Sequence, residues 1–96
     1  MKLYVDDVRP APAGWRLART VEQAVHLLET ESVEELSLDY VIGVYPENNF
    51  SPVARHVARM PADRRPKTVY LHTSSLQGAR ELQGILEGYV QEIVAR

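Results

Sequence analysis

The sequence predicts a small doubly wound α/β domain, a mostly parallel sheet of about four strands with helices on both faces, and three observations carry that prediction. Short apolar runs of strand length, Leu3-Tyr4-Val5, Leu36-Ser37-Leu38 and Thr68-Val69-Tyr70-Leu71, alternate with longer segments whose apolar residues recur at helical spacing. Pro and Gly clusters, rather than repeats or low-complexity tracts, punctuate the alternation. Each of these runs ends in side chains able to do chemistry, and parallel strands present all such ends along one rim. The 96 residues, 45% hydrophobic and 25% charged, suit one stand-alone domain over residues 1–96 and fit neither disorder nor a fibrous class.

The elements follow in order. After the first strand, Val8 to Gly14 must be a loop, because Pro10 and Pro12 fix φ and remove donors while Gly14 permits a turn. A short strand over Trp15 to Ala18 comes next. Thr20 with Gln23 has the form of a helix N-cap, and Val21, Ala24, Val25 and Leu28 share one helical face, so a helix is expected from Val21 to Thr30. Glu34 to Asp39 reads as a buried strand that runs into an irregular loop from Tyr40 to Asn49. Ser51 as cap and Pro52 at the first helical position start a second helix, with Val53, Val57 and Met60 as its apolar stripe, and Pro61 ends it. Thr68 to Leu71 is the next strand. Ser74 with Gln77 offers another capping box, and Leu76, Ala79, Leu82, Leu86, Val90 and Ile93 keep a near-helical period. Gly84 and Gly88 weaken that helix, so the tail from Tyr89 is open between helix and strand. Right-handed crossovers then give the parallel sheet.

Composition narrows the function classes. No apolar stretch approaches the ~20 residues that span a bilayer, and the first residues lack the basic-then-apolar order of a secretory signal, so a cytoplasmic protein without a membrane partner is expected. The absence of cysteine excludes disulfides and thiolate metal sites, leaving carboxylates and three histidines as conventional ligands. A net charge of -2 argues against nucleic-acid binding over the whole surface, although Arg55, Arg59, Arg64, Arg65 and Lys67 form a locally basic strip. That strip is able to hold RNA or a phosphorylated partner, but charge clusters of this size are commonly plain solvated surface.

The chemistry concentrates at the strand ends: Asp6 and Asp7, then Asp39, then His72 and Thr73. Three carboxylates folded close together repel, and each titrates above its usual ~4 unless a cation or hydrogen bonds compensate. Mg²⁺ answers that need, since it takes one or two protein carboxylates and keeps waters that a phosphate can replace. Asp39 is placed to act as a nucleophile or to hold the ion, and His72 to move a proton near neutral pH. Each residue also has a plainer reading: the Asp pair as turn chemistry, His72 as a strand-end histidine satisfied by backbone, Thr73 as packing beside the next cap. His26 reads as a solvated helix residue and His56 as a boundary residue. Trp15 and Tyr4 read as core volume, and Tyr45 and Phe50 as the exposed loop aromatics best placed to touch a ligand or partner.

The run Lys2-Leu3-Tyr4-Val5-Asp6-Asp7-Val8-Arg9-Pro10 with Pro12 and Gly14-Trp15, the Ser37-Leu38-Asp39 strand end, and His72-Thr73 before a helix carrying Gly78 resemble the cyclic-phosphate processing receiver domains, a small divergent branch of the response-regulator receiver fold. The resemblance covers nearly the whole chain. It implies Mg²⁺ held by Asp6 and Asp7, Asp39 as phosphoacceptor or metal holder, and Thr73 at the position that contacts the phosphoryl group. Its activity would be that of a phosphoesterase or phosphoacceptor acting on phosphoryl or cyclic-phosphate groups, with a phosphate-containing small molecule or an RNA end as partner. The chain departs from the branch where Tyr40, Val41, Ile42 and Gly43 stand in place of His, Asp, Leu and Gly, and where Ser75 replaces an Asn. The only lysines, Lys2 and Lys67, lie near strand starts, away from the rim, which leaves Arg80 or Arg9 to act as the cation. A competing reading is a catalytically inactive receiver-fold module for protein interaction. Many receivers dimerise through the last helix, and the sequence leaves the oligomeric state open, a homodimer included. An arginine lodged between the acids would remove the need for an ion.

Overall fold

A computed structural model describes residues 1–96. Its strands are β1 (Lys2–Val5), β2 (Arg16–Ala18), β3 (Glu35–Leu38), β4 (Thr68–Leu71) and β5 (Glu92–Ala95), and its helices are α1 (Val21–Thr30), α2 (Ser51–Arg59) and α3 (Leu76–Leu86). All strands are parallel, in the order β2-β1-β3-β4-β5. The doubly wound α/β class is as expected, with five strands instead of about four. The extra one is the tail: Gly88 adopts a φ of +87°, turns the chain out of α3, and lets β5 pair along β4.

Helices on both faces were expected, and here the fold differs. The crossovers from β2 to β3, β3 to β4 and β4 to β5 all run the same way across the sheet, so right-handedness puts α1, α2 and α3 on one face. Only the β1–β2 connection runs the opposite way, over the second face, and Pro10 and Pro12 keep it from forming a helix. The core accordingly lies on one side. Alternate strand residues Leu3, Val5, Leu36, Leu38, Val69 and Leu71 join Leu28, Val53, Val57, Leu82 and Leu86 of the helices in a single buried cluster. Each such side chain contributes about 1.5–3 kcal/mol on burial. The second face carries Tyr4, Ser37 and Tyr70 and is roofed by Trp15, whose ring stands edge-on to Tyr4 at 6.2 Å and to Tyr70 at 5.9 Å. Trp15 and Tyr4 thus fill volume on this face, outside the main core.

The helix starts refine the expected caps. Thr20 Oγ1 accepts from the Gln23 amide as predicted, and α1 has the predicted span. For α3 the cap is Ser75 rather than Ser74: its Oγ accepts from Gly78 N–H, while Thr73 Oγ1 accepts from Ser75 N–H and shapes the turn before it. For α2 the N-cap is Phe50, and Ser51 is the first helical residue, its amide held by Asn49 Oδ1. Phe50 is therefore not an exposed loop aromatic. It is fully buried, the largest such side chain in the chain, and its amide donates to Tyr40 O to close the loop between them. Tyr45, at 62% exposure, is exposed as expected. No helix is long and apolar enough to cross a membrane.

Candidate functional site

The register sets the rim. Ala18, Val5, Leu38, Leu71 and Ala95 lie side by side across the sheet, so the next residues, Arg19, Asp6, Asp39, His72 and Arg96, form one row at its carboxyl edge. Strand alternation gives Asp6, Asp39 and His72 the parity of Tyr4, Ser37 and Tyr70, which turns them toward the helix-free face. There, one ligand atom from each of Asp6, Asp39 and His72 falls within 4.8 Å of the others.

Asp6 is fully buried and well satisfied. Its Oδ1 accepts from the amides of Val8 and Arg9, both at 2.9 Å, and its Oδ2 lies 3.0 Å from His72 Nε2 and 3.6 Å from Arg9 Nη1. Burial pushes this carboxyl up, but the two amides and the His72 contact outweigh it and hold Asp6 below the usual range. His72 is fixed on every side. Its Nδ1 is 2.7 Å from Ser37 Oγ, its Nε2 faces Asp6, and its ring stacks on Tyr4 at 4.3 Å. With Nε2–H donating to Asp6, Nδ1 accepts from the Ser37 hydroxyl. Burial lowers His72 despite its hydrogen bond to Asp6 and the charges of Asp39 and Asp6.

Ser37, His72 and Asp6 thus form a hydrogen-bonded chain with the residue types of a hydrolytic triad. Ser37 is buried in β3, which removes it as a nucleophile and makes it a positioning residue for the imidazole.

Asp39 is different. Its Oδ1 accepts from the Tyr40 amide at 2.7 Å, its other oxygen has no hydrogen bond, and no cation pairs with it. Burial raises its carboxyl, the Tyr40 amide opposes that rise, and the charge of Asp6 adds to it. Arg9 pairs with Asp6 at the edge of the cluster and makes no ion pair with Asp39, so no arginine fills the gap between the two acids.

The other expected residues separate from this group. Asp7 has the opposite parity and lies outside the cluster; its Oδ2 accepts from Gly43 N–H at 2.8 Å and ties the Tyr40–Asn49 loop to β1. Gly43 meets it with a φ of +67°. Tyr40 also turns to the helical side, where Glu81 beside its hydroxyl, together with burial, holds the phenol above its ordinary range. Its ring occupies the space that a Cβ on Gly78 would need. Thr73 leads into the α3 cap with its hydroxyl hydrogen still free to donate. His26 is exposed on α1, and His56 lies on α2, both apart from the cluster. The basic strip divides: Arg64 caps carbonyls at the end of α1 and Arg65 lies over Tyr89, both before β4 at the opposite end of the sheet, while Arg55 on α2 lies near Tyr40. Sequence reading missed Ser37 and Arg19, and the available signal for Ser37 was a polar residue of the same parity as Asp39 in an otherwise apolar strand.

The charge balance predicts a pH response. A histidine lowered by folding leaves stability intact above its unfolded value of about 6.5 and loses it as pH falls from there toward the folded value. Urea midpoints should fall between pH 7.5 and 5.5 in the wild-type chain and fall less in His72→Gln. Equal slopes in the two proteins would show that His72 carries no such linkage.

No curated protein matches the chain. Residues 1–88 match the family described as the cyclic-phosphate processing receiver domain. With a five-stranded parallel sheet, an acidic rim and a match across nearly its whole length, the chain belongs to the cyclic-phosphate processing receiver family.

Proposed function

We propose that residues 1–96 act as one receiver-like module whose rim binds Mg²⁺ and handles phosphoryl or cyclic-phosphate groups. The observation that supports this most is Asp39, a partly buried carboxylate beside Asp6 with a free oxygen and no cation of its own. The donor set fits a hard ion: His72 Nε2 is committed to Asp6, so carboxylate oxygens are what the rim offers. Asp39 would hold the ion through its free oxygen, Asp6 would join it only by sharing the Oδ2 that faces His72 and Arg9, and Asp7 only by releasing Gly43. Bound Mg²⁺ would neutralise phosphoryl charge and orient the group for reaction.

The chain's own residues supply the rest. Asp39 acts as the phosphoacceptor, its free oxygen forming the bond to phosphorus as the bond from phosphorus to the donor's leaving oxygen breaks and that group departs as an anion, or as the ion's holder when a cyclic ester is opened by water. His72, oriented by Ser37 and Tyr4, fixes Asp6, and it moves a proton to or from a bound group only by releasing one of these two hydrogen bonds. Thr73 donates its hydroxyl to a phosphoryl oxygen. Tyr40 favours the competing reading of an inactive interaction module, since the side chain at that position packs against α3 rather than entering the cluster.

The deciding experiment combines melting with turnover. Millimolar Mg²⁺ should raise the melting temperature, and incubation with acetyl phosphate or 2′,3′-cyclic nucleotides should give either the mass gain of one phosphoryl group or an opened ester. No Mg²⁺ shift and no product, with a protein that co-purifies stoichiometrically, would establish the interaction module instead.

A further inference from the structure

A phosphoryl dianion approaching two carboxylates needs positive hydrogen-bond donors on the protein as well as an ion. The lysines cannot serve: Lys2 opens β1 and Lys67 precedes β4, both at the amino edge of the sheet, the far end of the strands from the rim. Three arginines have backbones at the carboxyl edge. Arg19 spends Nη1 on Arg9 O at 2.8 Å and Asp6 O at 3.4 Å, buttressing the β1–β2 turn. Arg96 lies flat over Tyr70, 3.9 Å from its centroid.

Arg9 keeps free donors beside the cluster and is the one arginine that forms an ion pair with a cluster acid; Arg80, on α3, forms none. Its Nη1 donates to His72 O at 3.0 Å and lies 3.6 Å from Asp6 Oδ2, while Nε and Nη2 make no hydrogen bond and the side chain is 48% exposed. Its backbone is held from both sides, the amide by Asp6 Oδ1 and the carbonyl by Arg19, and Pro10 restricts it further. The guanidinium is therefore pre-positioned at the edge of the acids, with a planar pair of donors left over.

We propose that Arg9 is the phosphate-binding residue of this rim, taking two oxygens of a phosphoryl group through Nε and Nη2. The inference rests on the phosphate-handling reading above and names the residue that would make it selective for tetrahedral dianions over other ligands of Mg²⁺. Arginine suits the role because its fork matches two phosphoryl oxygens, which an ammonium does not.

The test titrates inorganic phosphate into wild type, Arg9→Ala and Arg9→Lys, with and without millimolar Mg²⁺, by calorimetry and melting. Arg9→Ala should weaken phosphate binding by about 10- to 100-fold, the worth of charge-assisted hydrogen bonds, and Arg9→Lys should restore only part of it. The Mg²⁺ shift without phosphate should persist in both variants. Equal phosphate affinity in wild type and Arg9→Ala, or no phosphate binding by wild type, overturns the proposal. Should Arg9→Ala melt too low to titrate, Arg9→Lys decides: an affinity within about threefold of wild type overturns it, since the fork rather than the charge is the claim. A missing Mg²⁺ shift in wild type overturns the metal reading separately, because phosphate binding is scored without the ion as well.

Discussion

Asp39→Asn should abolish the Mg²⁺-dependent melting shift and, in the same preparation without the ion, melt higher than wild type. The two effects have one cause. Burial and the neighbouring Asp6 charge raise Asp39 in the folded state, so ionised Asp39 opposes folding at neutral pH unless a cation compensates. Asn keeps an oxygen for the Tyr40 amide and carries no charge. The sign follows from linkage: the advantage of Asn is full above the raised folded value and disappears as pH falls below the unfolded value of about 4, where both states of wild type are protonated. For the ion, occupancy at ~100 times its dissociation constant adds about 2.7 kcal/mol to wild type, roughly 10–20 °C in a chain this size. Paired melts with and without Mg²⁺ and with EDTA measure both halves. A shift that survives Asp39→Asn would move the ion elsewhere, and a variant that melts lower without the ion would mean that Asp39 is already stabilised by the fold.

Phe50→Ala should cost about 3–5 kcal/mol, against a total stability of roughly 5–14 kcal/mol for a domain of this length. The melting temperature should drop by at least about 12 °C. Phe50 sits where the loop that begins at Tyr40 meets α2, so removing the ring opens a cavity in the core and loosens the packing that seats the backbone bond from its amide to Tyr40 O. Amide exchange should therefore accelerate at Ile42 and Asn48, which are held only by bonds within the loop. Urea unfolding gives the first quantity and exchange the second. A loss below about 1 kcal/mol would mean that the surrounding side chains collapse into the space.

Local signals were legible where several agreed. α1 has the predicted bounds because a capping threonine, a helical stripe and a polar turn all point to them, and β4 is a β-branched run between a Pro loop and a helix cap. Caps at Ser51 and Ser74 each lay one residue from the residue that takes the role, since candidate hydroxyls or amides sit side by side and the approach angle of the chain decides among them. Phe50 read as exposed because its neighbours are polar, whereas α2 folds it inward. Strand-level reading grouped Asp6 with Asp7, and the pleat separated them: Asp6 joins the cluster, and Asp7 pins Gly43.

By itself the sequence determined the α/β alternation, the parallel strand ends and the presence of Asp6, Asp39 and His72 on one rim, because period and punctuation are local properties written in consecutive residues. Tertiary structure alone decided which carboxylate is left without a partner, that Ser37 and Tyr4 hold the imidazole, that Arg9 keeps two free donors at the rim, and that one sheet face carries no helix. These depend on crossover direction, side-chain parity and distances between residues far apart in the chain, and burial acts on a charge only after those distances are set.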